Sequence, residues 1–164
     1  MISIRQATPA DAPLIFAFVR DLAEYEREPH SVITTEEQLL RDGFGEERYY
    51  ECLIGEVDGA PAGFALFFPI YSTWQGRSIH LEDLFVRPAF RGHGIGKALL
   101  QRVAAVAVER NCARLQWDVL DWNTPAIDFY RSIGADMLDQ WRRMRITGSA
   151  LTTLADAPSP ENRS

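Results

Sequence analysis

A glycine-rich loop between a strand pattern and a long amphipathic helix pattern constrains this chain most. The segment reads LFVRPAFRGHGIGKAL over residues 84–99, with glycines at alternate positions from 92 to 96. Glycines allow positive φ and leave the backbone open to a ligand. The first free N–H groups of the following helix and its dipole attract an anion, and Arg91 and Lys97 add positive charge. The loop therefore predicts a site for a phosphate or diphosphate.

Two common phosphate loops fit this spacing poorly. A Walker loop needs Gly-Lys-Ser/Thr, whereas Gly96-Lys97-Ala98 lacks the hydroxyl that holds magnesium. A dinucleotide fingerprint has the spacing G-x-G-x-x-G, whereas Gly92, Gly94 and Gly96 are two apart and lie mid-chain. From the residues alone, a plain glycine-rich connection between strand and helix remains the alternative.

Hydrophobic periodicity predicts an α/β fold with helices covering a mixed sheet. The predicted strands are 2–4, 49–57, 62–71, 78–86, 113–120 and 140–146. The predicted helices are 8–25, one that opens at Thr34 or Thr35, 96–111 and 123–133. We thus expect a central sheet of about six to seven strands flanked by about four helices.

Length and charge narrow the class of protein. The 164 residues suit a single domain, predicted over 1–154, with a polar, disordered tail over 155–164. A net charge of −6 argues against binding nucleic acid or an anionic membrane. Cys52, Cys112 and the scattered histidines make no metal pattern, so we expect no metal. Neither a signal peptide nor a membrane span is predicted, which favours a cytoplasmic protein.

The pattern Arg91-x-x-Gly94-x-Gly96, after a strand end and a proline, resembles the diphosphate loop of the GNAT superfamily of N-acetyltransferases. The resemblance implies the GNAT fold, with acetyl-CoA as co-substrate. It also implies that the strand before the loop offers backbone to the pantetheine arm. The coenzyme-binding residues that it implies are Leu84, Phe85, Val86, Arg91, Gly92, His93, Gly94, Ile95, Gly96, Lys97, Asn123, Thr124, Pro125 and Ala126.

Five longer segments are similar to the diamine (spermidine/spermine) acetyltransferase group. They are DLAEYE at 21–26, DGFGE at 42–46, LEDLFV at 81–86, RGHGIG at 91–96 and WNTPAIDFY at 122–130. This group implies a polyamine or diamine acceptor and a homodimer. It also contains enzymes that act on thialysine-type amino acids, so that acceptor stays open.

The resemblance gives catalytic roles to Glu82 and Tyr130. An ordinary ammonium group is about 6 pKa units more basic than glutamate, so direct proton transfer costs roughly 8 kcal/mol. Glu82 therefore acts through a water chain or with a raised pKa. Tyr130 is the candidate acid beside the leaving thiolate. From the residues alone, Glu82 is equally a solvent-exposed strand residue, Tyr130 a core aromatic, and Asn123 a helix N-cap.

A cationic acceptor needs carboxylates along a groove and aromatic walls. The candidates are Tyr25, Glu26, Glu82, Asp83, Trp117 and Asp118. The acids are alternatively a solvated face. Two other functions remain: an enzyme of the same fold with a thialysine-like, aminoglycoside or protein amine as acceptor, and an acetyl-CoA sensor without catalysis.

Overall fold

Five strands form one mixed sheet in the structure, a computed structural model that describes residues 1–157. The strands are β1 (Ile2–Gln6), β2 (Glu51–Val57), β3 (Ala60–Ser72), β4 (Gly76–Val86) and β5 (Arg114–Gln116). Their order in the sheet is their order in the chain. Neighbours from β1 to β4 are antiparallel, and β4 and β5 are parallel.

Three of the described helices begin within two residues of their predicted starts, whereas the first begins at Ala12, after a 3-10 turn at Pro9–Asp11, and the last was not predicted. The helices are α1 (Ala12–Tyr25), α2 (Glu36–Phe44), α3 (Ile95–Glu109), α4 (Thr124–Ser132) and α5 (Gly148–Ala155). Thr35 is the N-cap of α2, and its hydroxyl accepts from the N–H of Gln38 in a capping box. The turn between β2 and β3 uses positive φ at Asp58 and Gly59, as the Asp-Gly pair predicts.

The core lies on both faces of the sheet. On one face, Phe18 of α1 stacks on Phe64 of β3 with ring centroids 5.3 Å apart, and both side chains are fully buried. On the other face, α3 packs on β2 at Gly55, where a Cβ atom would lie 2.8 Å from Ile95. A larger residue at position 55 would therefore push α3 off the sheet.

The described chain divides into two compact units, Met1–Asp118 and a second that begins at Val119. The first contains the sheet with α1, α2 and α3, and the second contains α4 and α5. No helix within residues 1–157 is long and apolar enough to cross a membrane.

The α/β class is confirmed, but the predicted strand count is too high for residues 1–157. The segment 140–146 is irregular, because its exposed residues pair with none of the five strands and a strand requires a partner. The predicted strand 113–120 is reduced to Arg114–Gln116. Ala155 ends α5 rather than beginning a disordered tail, while 158–164 lie outside the described residues.

Candidate active site

A β-bulge in β4 places the carboxylates of the candidate site. Leu66 of β3 pairs with Asp83, and Phe67 pairs with Leu81, so Glu82 is an extra residue without a partner in the ladder. Residues directly opposite each other in a ladder share a face of the sheet. The bulge therefore moves the alternation of β4 by one residue at Glu82.

The consequence is that His80 and Asp83, three positions apart, lie on the same face as α1. Phe68 pairs with His80, and their rings are 5.2 Å apart. Leu66, opposite Asp83, belongs to the buried cluster with Phe18 and Phe85. A regular strand would have placed His80 and Asp83 on opposite faces.

The parallel ladder between β4 and β5 is short. It contains the pairs Ser78↔Arg114, Ile79↔Leu115 and His80↔Gln116, whereas β4 continues to Val86. The predicted pantetheine-binding stretch 84–86 lies beyond this ladder. One edge of residues 84–86 pairs with β3, and the other edge is not paired with β5. The N–H and C=O groups on that second edge are therefore available to bond a ligand arm.

The loop before α3 has the open backbone that the glycine pattern predicts. Gly92 and Gly94 have φ of 81° and 83°, and a Cβ added at either would find no atom within 4 Å. Gly94 is the N-cap of α3, and no side chain caps the helix there. The first turn of α3 carries no acidic residue. These features make the N–H donors in the first turn of α3, together with the helix dipole, suited to binding an anion.

Two side chains of the loop bond to its own main chain. The Nε atom of Arg91 donates to the carbonyl of Val86 at 3.0 Å. The Nδ1 atom of His93 lies 3.2 Å from the carbonyl of Phe90 and 3.0 Å from that of Arg91. A carbonyl only accepts, so these contacts assign the hydrogen of the ring to Nδ1. Lys97 is exposed on the first turn of α3.

Three of the predicted acceptor residues form a coupled carboxylate cluster, Glu26, Glu82 and Asp83. Burial, together with the smaller effect of the charges of Glu82 and Glu26, raises the pKa of Asp83 to about 7. Burial also raises the pKa of Glu26, with a smaller contribution from Glu82. Glu82 itself is half-exposed, and its Oε2 lies 3.1 Å from Nε2 of His80. The cluster is therefore a concentrated negative site suited to an ammonium group.

The other predicted acceptor residues, Tyr25, Trp117 and Asp118, do not belong to this cluster of carboxylates. The Tyr25 ring, at the end of α1, lies 6.4 Å from that of Phe85 and 4.7 Å below the guanidinium carbon of Arg91. Trp117 and Asp118 follow β5 directly, at the end of the first unit.

The remaining predicted residues belong to the second unit. Asn123 is the N-cap of α4, but its side chain makes no capping hydrogen bond. Thr124, Pro125 and Ala126 form the first turn of that helix. Tyr130 is half-buried on α4, and its ring lies 5.4 Å from that of Phe129.

Sequence reasoning missed His80 and the bulge. The sequence carries no distinctive signal for the bulge, because residues 84–86 are all apolar and fit either register of β4. His80 stands two positions before Glu82, which would place both on one face of a regular strand.

Comparison with known proteins identifies the family of the chain. The Acetyltransferase (GNAT) family matches residues 15–135 of the chain. Thialysine N-epsilon-acetyltransferase from Bos taurus is 41% identical, covering 94% of this chain and 97% of that protein. Spermidine/spermine N(1)-acetyltransferase-like protein 1 from Homo sapiens is 33% identical over 93% of this chain but 23% of its own length. An integron cassette protein from the mobile metagenome of V. cholerae superposes with a TM-score of 0.77 at 26% identity, covering 95% of this chain and 98% of that one.

The chain therefore belongs to the GNAT family of acetyltransferases, as the pattern that begins at Arg91 predicted. It is an N-acetyltransferase that uses acetyl-CoA and acts on amines.

Proposed function

We propose that the enzyme transfers acetyl from acetyl-CoA to the primary amine of a small cationic acceptor, by direct attack in a ternary complex. The observation that carries this proposal is the carboxylate cluster of Glu26, Glu82 and Asp83. Glu82 and Asp83 lie at the bulge of β4, the strand that leads into the predicted diphosphate loop, and Glu26 follows α1. One strand thus connects a site for a cation with a site for an anion.

The residues of the loop fit the coenzyme. The space over Gly92 and Gly94, which a Cβ would enter, admits a diphosphate close to the backbone. The N–H groups at the start of α3 donate to the phosphate oxygens, with Arg91 and Lys97 adding charge. His93, Ile95 and Gly96 complete this loop, and the backbone of residues 84–86 holds the pantetheine arm.

In the reaction the neutral amine attacks the thioester carbonyl carbon, so that the C–N bond forms and the C–S bond breaks. The ammonium group of the acceptor loses one proton before the attack, and its nitrogen loses a second as the amide forms; the departing thiolate takes up one of them, so that one proton is released overall. Glu82 accepts the acceptor's proton through water, since its half-exposed carboxylate is open to solvent. Asp83, with its pKa near 7, is poised to exchange that proton at neutral pH.

We assign the stabilisation of the leaving thiolate to Tyr130. A phenol has a pKa about 1.5 units above that of a thiol, so a hydrogen bond from the hydroxyl is enough and full transfer is not required. Residues Asn123, Thr124, Pro125 and Ala126, at the start of the same helix, contribute to the coenzyme site in this proposal.

Two acceptor classes have support. The relative from Bos taurus, similar over nearly the full length of both chains, is named for thialysine, and this favours an amino acid with a distal amine. The carboxylate cluster favours a polyamine or diamine, whose repeated ammonium groups match several acids, with Trp117 and Asp118 as further contacts. A homodimer in the cytoplasm remains part of the proposal.

A thiol-release assay tests the function. Acetyl-CoA is supplied with thialysine, lysine, spermidine, putrescine or an aminoglycoside, and free thiol is followed over time. Release with thialysine or a polyamine supports the proposal, and the kcat/KM ratio between them assigns the acceptor. Coenzyme binding without thiol release for any amine would overturn it in favour of a sensor.

A matched pair of variants tests the cluster. Glu26→Gln should raise KM for the amine several-fold, because a charge-assisted hydrogen bond is about twice as strong as a neutral one, and leave KM for acetyl-CoA unchanged. Glu24→Gln, at an exposed position in the last turn of α1, two residues before Glu26, is the control. An unchanged amine KM in Glu26→Gln would remove this residue from the site.

A further inference from the structure

We propose that Tyr25 is a positioning residue for the coenzyme: its ring holds the guanidinium of Arg91 so that this arginine presents its outer edge to the diphosphate. The proposal rests on the coenzyme site proposed above, and it gives Tyr25 a role other than an acceptor wall. The residues come from separate parts of the chain, the end of α1 and the loop after β4.

Three contacts define the position of Arg91. Its guanidinium carbon lies 4.7 Å from the centroid of the Tyr25 ring and 5.8 Å from that of Phe85. The two rings lie 6.4 Å apart and are tilted by 51°. The third contact is the hydrogen bond from Nε to the carbonyl of Val86 at 3.0 Å.

These contacts use particular parts of the guanidinium. The guanidinium carbon lies over the Tyr25 ring, and the Val86 carbonyl accepts from the Nε–H. The group carries four further N–H donors, on its two Nη atoms at the far end. That end forms bidentate bonds to phosphate oxygens, and a fixed plane reduces the conformational entropy lost when they form.

The same contact argues against Tyr25 as the wall for the acceptor. An ammonium group binds an aromatic ring at its face, as the guanidinium does. The face of Tyr25 that Arg91 covers is closed to the acceptor, whereas the carboxylates of Glu26 and Asp83 remain as its ligands. Tyr25 and Glu26, adjacent in sequence, thus serve the two substrates separately.

Calorimetric titration with CoA, without any acceptor, is the direct test. Tyr25→Leu should raise Kd for CoA by about two- to five-fold, the effect of an exposed cation–π contact. Tyr25→Phe keeps the ring and should bind as the wild type does. Tyr49→Leu makes the same chemical change at an exposed tyrosine on the connection between α2 and β2, and it should have no effect. A wild-type Kd in Tyr25→Leu would overturn the proposal.

A double-mutant cycle distinguishes coupling from a general loss of structure. In an Arg91→Gln background, Tyr25→Leu should change Kd for CoA no further, because the group that it positions is gone. Additive effects would show that the two residues act separately. Tyr25→Gln, carried in parallel, keeps the cycle available if the leucine variant does not fold.

Steady-state kinetics provide a second measure. Tyr25→Leu should raise KM for acetyl-CoA and leave KM for the amine unchanged. The opposite pattern, a raised amine KM with normal CoA binding, would return Tyr25 to the acceptor site. Failure of the proposed acceptor class would not change the calorimetric result, since no acceptor is present in it.

Discussion

The Nε2 atom of His80 lies 3.1 Å from Oε2 of Glu82, across the point where β4 bulges. The imidazole is nearly buried and contacts the ring of Phe68, whereas the carboxylate is half-exposed. Glu82 has no partner in the ladder, and the buried imidazole of His80 lies beside its carboxylate. The contact with His80 therefore positions the Glu82 carboxylate, which stays accessible to water.

Glu82→Gln should lower kcat by about 100-fold, the lower end of the range for general acid–base catalysis. The amide has a similar shape but accepts no proton, so KM for acetyl-CoA should not change. The measurement is thiol release at saturating amine, with Glu24→Gln as the exposed control. A kcat within twofold of the wild type would show that another group takes the proton.

Asp83→Asn should change how stability depends on pH. The pKa of Asp83 is about 7 in the folded protein, mainly because of burial, whereas an unfolded aspartate titrates near 3.9. Between these values the folded state binds more protons, so the free energy of unfolding of the wild type falls as pH rises from about 4 to 7. The asparagine variant lacks this fall and should gain on the order of 2 kcal/mol over the wild type at pH 8.

Urea unfolding at pH 5 and pH 8 measures this difference. Asp128→Asn, at an exposed position on α4, should keep the dependence of the wild type. Equal slopes for the wild type and Asp83→Asn would contradict a raised pKa at this position.

Gly94→Ala and Gly96→Ala should act in opposite directions on stability. Gly94 has φ of 83°, where an alanine costs about 1–2 kcal/mol, and the shift of backbone should also weaken CoA binding. At Gly96, which lies in α3, an added Cβ meets the side chain of Val86 at an ordinary 3.6 Å. Gly96→Ala should therefore stabilise the protein by about 0.5–1 kcal/mol. Thermal unfolding and calorimetry with CoA check both, and a more stable Gly94→Ala would refute the argument from φ.

Tyr130→Phe should lower kcat with little change in either KM, because the hydroxyl acts when the thiolate leaves. Removing one hydrogen bond to a developing charge costs about 1.5–3 kcal/mol, or a loss of about 10- to 100-fold. Phe129→Leu, which changes the neighbouring ring on α4, controls for packing. Full kcat in Tyr130→Phe would remove this tyrosine from the reaction.

The local parts of the fold were predictable from the sequence. The Asp58-Gly59 turn, the Thr35 cap and the loop before α3 each depend on neighbouring residues alone. The bulge at Glu82 and the shortness of β5 depend on register with strands distant in the chain. Periodicity alone reads β4 as regular, which hides the shared face of His80 and Asp83.

The candidate site divides in the same way. The glycine spacing and the pattern that begins at Arg91 predict a diphosphate loop, since all the residues of such a site are close together in the sequence. The shift of the Asp83 pKa and the cover that Arg91 gives Tyr25 arise from contacts between separate elements. The segment 140–146 was predicted as a strand for the same reason. Its apolar residues fit a strand pattern, but the pattern cannot show whether another strand pairs with the segment.

The bulge also frees the side chain at position 82 from the pairing that holds the sheet together. Cross-strand partners restrict which side chains a ladder position tolerates, and position 82 has no such partner. Exchange of its residue leaves the pairs on either side, Leu66↔Asp83 and Phe67↔Leu81, as they are. A point substitution at position 82 therefore changes the side chain at the candidate site without removing any pair of the sheet.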